Sequence, residues 1–186
     1  MQGPPVYSKP VTASVMLIGQ APGIREIEVH KPFAWKAGQT LFSWFKQINI
    51  DEDTFRENIY MSAVCRCFPG RHRNGKAIKS GDRAPDKSEI ANCRLWLSTE
   101  LSILQPELIL PVGKLAISQF LDFSRLTDVI GSAHQVSINN INCDVIPLPH
   151  PSGVSAWPRV EPGKTLLIDA LQLIDQHPAW QQTFHP

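Results

Sequence analysis

The sequence predicts an α/β fold in three layers, a central four-stranded parallel sheet with helices on both faces. Three observations carry this. Short apolar runs alternate with longer amphipathic segments along the chain. Two of the runs, "VMLIGQAPG" (15–23) and "VIPLPHPSG" (145–153), end abruptly in rigid Gly- and Pro-rich turns, as strands do where they leave a sheet. No internal repeat or shift of composition marks a second unit, so residues 1–186 read as one domain, long enough to bury a proper core.

The elements follow in order. "SVMLIG" (14–19) is short and continuously apolar, as expected of a strand buried on both faces. In "AGQTLFSWFKQINI" (37–50), Leu41, Phe42, Trp44, Phe45 and Ile48 recur at helical spacing. "NIYMSAVCRC" (58–67) is the second strand. Residues 68–88 form a polar loop rich in Gly, Pro and cations. "SEIANCRLWLSTELSIL" (88–104) reads as a helix with Ser88 as its N-cap. "PELILPVG" (106–113) is the third strand, "KLAISQFL" (114–121) a helix, "CDVIPLP" (143–149) the fourth strand, and "GKTLLIDALQLIDQH" (163–177) a helix ending near Pro178. In such a sheet ligands bind at the carboxyl ends of the strands, so the two rigid turns can converge on one site.

Composition narrows the function. Lys plus Arg number 18 and Asp plus Glu 17, a net charge of +1, so a nucleic-acid partner must be served by a local basic patch. No apolar run reaches the about 20 residues of a membrane span. "MQGPPVYSKP" has no apolar signal-peptide core, which points to the cytoplasm. That compartment argues against structural disulfides among Cys65, Cys67, Cys93 and Cys143. Neither a Gly-x-Gly-x-x-Gly nor a GxxxxGK[ST] loop is present, and no G-x-S-x-G elbow, so dinucleotide, nucleotide-triphosphate and serine-hydrolase chemistry have little support.

Taken singly, the motifs have plain alternatives. Gly19-Gln20-Ala21-Pro22-Gly23 can aim backbone N–H groups at an oxygen or a water, and is equally an ordinary turn. His150, fixed between Pro149 and Pro151, can donate to developing negative charge or be structural. The loop 68–88 carries Arg71, Arg73, Lys76, Lys79, Arg83 and Lys87 against Asp82 and Asp86, an excess suited to phosphates or simply to water.

In combination they discriminate. GQAPG resembles a G-E-[GA]-P-G turn, "KPFAWKAG" (31–38) an R-P-F-V-G-x-A-G segment, and "IYMSAVCRCFP" (59–69) a VY-x-x-N-V-V-K-C-x-P strand. "EIANCRLWL" resembles a cysteine-bearing helix, "PELILPVG" a P-[DE]-x-I-[VL]-x-[LV]-G strand, and "PHPSG" an [FP]-H-P-S turn. These motifs, in this order over nearly the whole chain, resemble the uracil-DNA glycosylase superfamily, especially its bacterial and archaeal iron-sulfur branch.

The resemblance implies hydrolysis of the N-glycosidic bond of uracil in DNA, leaving an abasic site, with the target base flipped out of the stack. His150 would donate to the uracil O2, Phe33 would stack on the base, and Gly19, Gln20, Ala21, Pro22 and Gly23 would contact it and position water. Core packing beside Trp35 and Phe42 is the alternative for Phe33. Arg71, Arg73 and Lys76 would meet phosphates, and Ser152, Gly153, Val154 and Ser155 would sit at the duplex. The expected partner is DNA carrying uracil or another deaminated base, bound by a monomer, with no membrane.

This chain also departs from the pattern. The water-activating Asp of the best-known branch falls at Ala21, and Gln20 replaces the Glu of the iron-sulfur branch. Glu26, on an acidic position of that branch, is the remaining carboxylate candidate. The uracil-reading Asn falls at Ala63; Ser62 beside it points to the opposite face of a regular strand. Cys67 and Cys93 match two of the four cluster cysteines, and two thiolates do not hold a four-iron cluster. No cofactor is therefore expected from the chain as given, and a 4Fe-4S cluster only if further residues precede it. Two other functions compete: a module that binds uracil or abasic DNA without cleavage, and a glycosylase for another damaged base such as hypoxanthine.

Overall fold

The computed structural model describes residues 1–74, 77–153 and 155–185, with the backbone alone described for 72–74 and 77–80. Strand β1 (Val15–Gly19) is buried along its whole length and lies parallel to β2 (Tyr60–Ala63) on one side and β5 (Leu108–Pro111) on the other. Strand β7 (Ile141–Val145) continues the parallel sheet beyond β5. The strand order is β2-β1-β5-β7, with β6 (His134–Ile138) beyond β7.

The four expected parallel strands are present, and a fifth strand extends the sheet. Strand β6 pairs antiparallel with β7 and forms the sheet edge. The two are joined at Asn139 and Asn140, whose φ angles of 51° and 65° suit the tight turn that matches strand twist. β6 is half-exposed, and its Val136 and Ile138 alone reach the core, so its apolar signal is thin.

Alternation along β1 feeds two cores. Val15 and Leu17 pack with helices α2 (Lys36–Phe45), α3 (Glu52–Asn58), α6 (Gly163–Gln176) and α7 (Pro178–Phe184). There the Phe45 and Phe55 ring centroids lie 4.5 Å apart, and Trp180 stacks on Phe45 at 5.6 Å. Met16 and Ile18 face helix α4 (Lys87–Leu104) through Leu97 and Leu101, and helix α5 (Lys114–Ile117) through Ala116. No helix among the described residues is long and apolar enough to cross a membrane.

Local readings change in four places. The polar loop holds an antiparallel hairpin, β3 (Arg71–Asn74) and β4 (Ala77–Asp82), whose base is closed by the Arg83 amide donating to the Gly70 carbonyl at 2.9 Å. Lys76 and Val154 lie outside the described residues, as does the Arg73 side chain. Asp86, not Ser88, caps α4: its Oδ1 accepts from the Ser88 and Glu89 amides at 2.9 Å, and Glu89 accepts in return from the Asp86 amide. A short helix α1 (Ile24–Val29) follows the GQAPG turn, and α5 stops at Ile117 rather than running to Leu121.

Candidate active site

The carboxyl ends of the parallel strands open into a cavity of about 510 Å³. The turn Gly19–Gly23 leaving β1, with Glu26 and Phe33, forms one wall. Ser62 and Ala63 at the end of β2 form the second, and His150 and Ser152 beyond β7 the third. Gly81, Asp82 and Arg83, at the end of the hairpin, form the fourth wall, where the sequence reads only a charged loop. A larger open groove, about 680 Å³, lies beside Glu107, Asp144 and His177, and none of the candidate base-binding or catalytic residues lines it.

His150 is held for hydrogen-bond donation. Leu148 bridges to Val112, and the Gly113 amide donates to the Leu148 carbonyl at 2.9 Å, which fixes the chain just before the Pro-His-Pro segment. The His150 Nδ1 accepts from the Ser152 amide at 3.2 Å. Burial pushes the imidazole pKa below its ordinary value. The hydrogen-bond pattern thus assigns a neutral ring with its proton on Nε2. Gly113 has φ +85°, and a Cβ there would stand 2.9 Å from His150 Cδ2. Only glycine lets the ring lie where it does.

Phe33 is held in a conformation that few non-glycine residues adopt, with φ +52°. Arg56 of α3 holds it there: Nη1 donates to the Pro32 carbonyl at 2.9 Å and Nη2 to the Phe33 carbonyl at 3.1 Å. Glu52 orients the guanidinium through Nε at 2.8 Å, and the Phe42 ring lies 4.6 Å beneath it. A Cβ on Gly38 would come within 1.7 Å of the Phe33 carbonyl oxygen, so α2 approaches this segment only through glycine. The Phe33 ring in turn lies against Gly19, where a Cβ would stand 2.9 Å from Cζ.

The Glu26 carboxylate is turned into backbone. Its Oε2 accepts from the Gly23 amide at 2.5 Å, and the Phe33 and Ala34 amides lie near enough to favour its charge. Burial raises its pKa, those three amides oppose the rise, and Asp82 nearby adds to it. Glu26 therefore ties the GQAPG turn to the Phe33 segment. The turn is also stitched to β2's extension, where the Val64 and Cys65 amides donate to the Gly19 and Gln20 carbonyls at 2.9 and 3.1 Å.

Ser62 borders the cavity, but its hydroxyl donates to Glu100 of α4 at 2.9 Å, and Tyr60 and Arg66 meet the same carboxylate. Ala63 is half-buried at the cavity wall and brings no polar atom of its own side chain. Below His150, Arg159 donates to the Gly153 and Ser155 carbonyls at 3.0 and 3.2 Å, fastening the loop that follows the motif. Arg71 is exposed at the hairpin base, its Nε 3.9 Å from Asp82 Oδ1. Arg56 and Arg159 carry no local motif; only the fold brings them to this site.

Of the four cysteine ligands that the resemblance implies for a four-iron cluster, Cys67 and Cys93 are the two present among the described residues. Cys67 and Cys93 are half-buried and Cys65 is buried beside Cys93. Without a metal, burial, with Cys93 adjoining, pushes the Cys65 thiol far above its ordinary range, and burial raises Cys67 too. Among the described residues no group of three or more His, Cys, Asp or Glu is placed to hold a metal ion. No step of the chemistry below runs through a cluster.

Comparison with known proteins bears on the same residues. The family model described as "Uracil DNA glycosylase superfamily" matches residues 5–172. The Type-4 uracil-DNA glycosylase of Pyrobaculum aerophilum is 26% identical over 149 residues, 77% of this chain and 69% of that protein. Its namesake from Archaeoglobus fulgidus is 27% identical over 154 residues, covering 80% and 70%. That of Thermotoga maritima is 28% identical over 142 residues, covering 74% and 64%. Matches to the Type-4 uracil-DNA glycosylases span 60% to 70% of those proteins' lengths. With a family match over most of its length, and with the α/β sheet and strand-end cavity described above, the chain belongs to the uracil DNA glycosylase superfamily.

Proposed function

We propose that this chain is a DNA repair glycosylase that hydrolyses the N-glycosidic bond of uracil in DNA and leaves an abasic site. The observation that carries the reading is the neutral His150, its Nδ1 occupied and its Nε2–H available at the cavity wall. When the C1′–N1 bond breaks, its electron pair leaves with the base, and negative charge gathers on the uracil O2. A preorganised donor at that oxygen is worth about 2.7–4 kcal/mol. Phe33, held rigidly, offers a ring on which the flipped base stacks, worth about 1–3 kcal/mol. Gln20 and the backbone of the Gly19–Gly23 turn contact the base edge. Glu26 acts as a positioning residue that keeps the turn and Phe33 in register.

The same reading takes residues 1–186 as one domain acting on DNA as a monomer, with Arg71, Arg73 and Lys76 on phosphates and Ser152–Ser155 at the duplex. The free cysteines suit a reducing, cytoplasmic setting. The test is alkaline scission of oligonucleotides that carry one uracil, after incubation with the chain. Scission at the uracil is expected; intact strands with bound DNA would favour a binding module instead.

A second reading has one specific support. With Ala63 at the wall and the Ser62 hydroxyl on Glu100, neither residue's side chain offers hydrogen bonds to the base. A pocket that selects by shape rather than by hydrogen bonds discriminates weakly. Hypoxanthine is thus the alternative substrate, read by the same scission assay.

A further inference from the structure

We infer that Asp82, delivered by the hairpin between β2 and α4, is a catalytic residue of this site, the carboxylate that orders the attacking water. The inference rests on the glycosylase reading above.

Hydrolysis needs a negative group near C1′, to face the oxocarbenium-like sugar and to accept the proton of the water. The GQAPG turn brings no carboxylate, because Ala21 stands in its middle. Glu26 is the other acid on that wall, but it is half-buried and its Oε2 is taken by the Gly23 amide at 2.5 Å. A group so occupied holds loops in place and is poorly free to take a proton.

Asp82 differs on each point. It lines the same cavity and is exposed there, so its charge stays solvated until DNA arrives. Among the described residues its Oδ2 accepts one hydrogen bond, from the Ile24 amide at 3.3 Å. Its Oδ1 lies 3.9 Å from Arg71 Nε, an ion contact longer than a hydrogen bond. A carboxylate offers roughly four lone-pair positions, so capacity remains for a water. Gly23 makes the approach possible: a Cβ there would stand 2.9 Å from Asp82 Oδ2 and 3.5 Å from Glu26 Oε2. Asp82 thus stands at the turn that the resemblance assigns to positioning water, on the open side of the glycine. Two neighbouring carboxylates, one turned into amides and one open to the cavity, divide the work of holding and of proton transfer.

The step balances. The C1′–N1 bond breaks and its electron pair leaves on the base. Water oxygen bonds to C1′, and its proton passes to Asp82 and then to solvent, which protonates the departed base.

The test compares single-turnover uracil release by the parent chain and by Asp82→Asn, beside affinity for an oligonucleotide carrying an abasic site. Asn keeps an acceptor for the Ile24 amide, so a purely structural clasp survives the change while the charge does not. The release rate should fall by about 10²-fold or more, the range of general-base catalysis, with affinity not reduced. If the Asn variant does not keep the parent's thermal midpoint, Asp82→Ser is read in the same way. An active parent matched in rate by its folded variant overturns the inference alone. An inactive parent overturns the glycosylase reading and this inference with it.

Discussion

The Arg56 guanidinium donates to the Phe33 carbonyl at 3.1 Å, and so holds the one cavity-wall aromatic of the resemblance at a φ of +52°. A side chain on α3 thereby sets a residue 23 positions away. Arg56→Ala leaves the Pro32 and Phe33 carbonyls without their donor, a cost of about 1–3 kcal/mol. Urea unfolding should show that loss. The release rate should fall further than stability explains, because the Phe33 segment relaxes toward ordinary backbone. An unchanged rate in the folded variant would remove Phe33 from the stacking role.

Gly113→Ala tests how the imidazole is seated. The added Cβ meets His150 Cδ2 at 2.9 Å, and the backbone must hold φ +85°. A 1 Å displacement of a catalytic group costs about 10²-fold in rate. The expected result is a large loss of base release, with stability reduced by about 1 kcal/mol. The ring proton resonance of His150 should shift in the variant.

Much of this site was legible in the sequence, because its parts sit in short motifs where strands end. Gly19–Gly23, Phe33 and His150 are each contiguous with a strand or a rigid turn, and a parallel sheet brings such ends together. What was hidden comes from long-range contacts. Asp82 reaches Ile24 across 58 positions, and only the hairpin's pairing reveals it. Arg83 read as one more cation, yet both its terminal nitrogens are engaged by Glu89. β6 escaped notice because a half-exposed edge strand needs few apolar residues. Ser88 looked like a cap, but Asp86 two positions earlier accepts from the Ser88 and Glu89 amides, and from the Ser88 hydroxyl too.

Ala63→Asn tests the base-reading wall. The new amide should stand at the cavity and meet the base edge, changing the relative rates on uracil and hypoxanthine. If the amide finds no partner, its burial costs about 1–3 kcal/mol, so stability is measured alongside. Identical relative rates in a folded variant would show that this position does not touch the base.

The hairpin's anchor is acid-labile. Arg83 donates to Glu89 through two nitrogens, at 2.8 and 2.6 Å, and holds the Glu89 pKa down to about 2 from an ordinary 4.5. A lowered carboxylate pKa stabilises the fold above the unfolded value and loses that effect as pH falls through the folded one. Stability should therefore drop between about pH 4.5 and about 2. Denaturant unfolding across that window should show a shallower drop for Glu89→Gln than for the parent.

Whether His150 stabilises the leaving base is decided by one measurement: single-turnover release of uracil by the parent and by His150→Ala, with DNA affinity and thermal midpoint taken in parallel. Its donor acts on charge that appears as the bond breaks, so rate should fall by about 10²–10³-fold while affinity and folding hold. Release by the folded variant at the parent's rate would contradict the assignment of His150, and with it the chemistry proposed for this cavity.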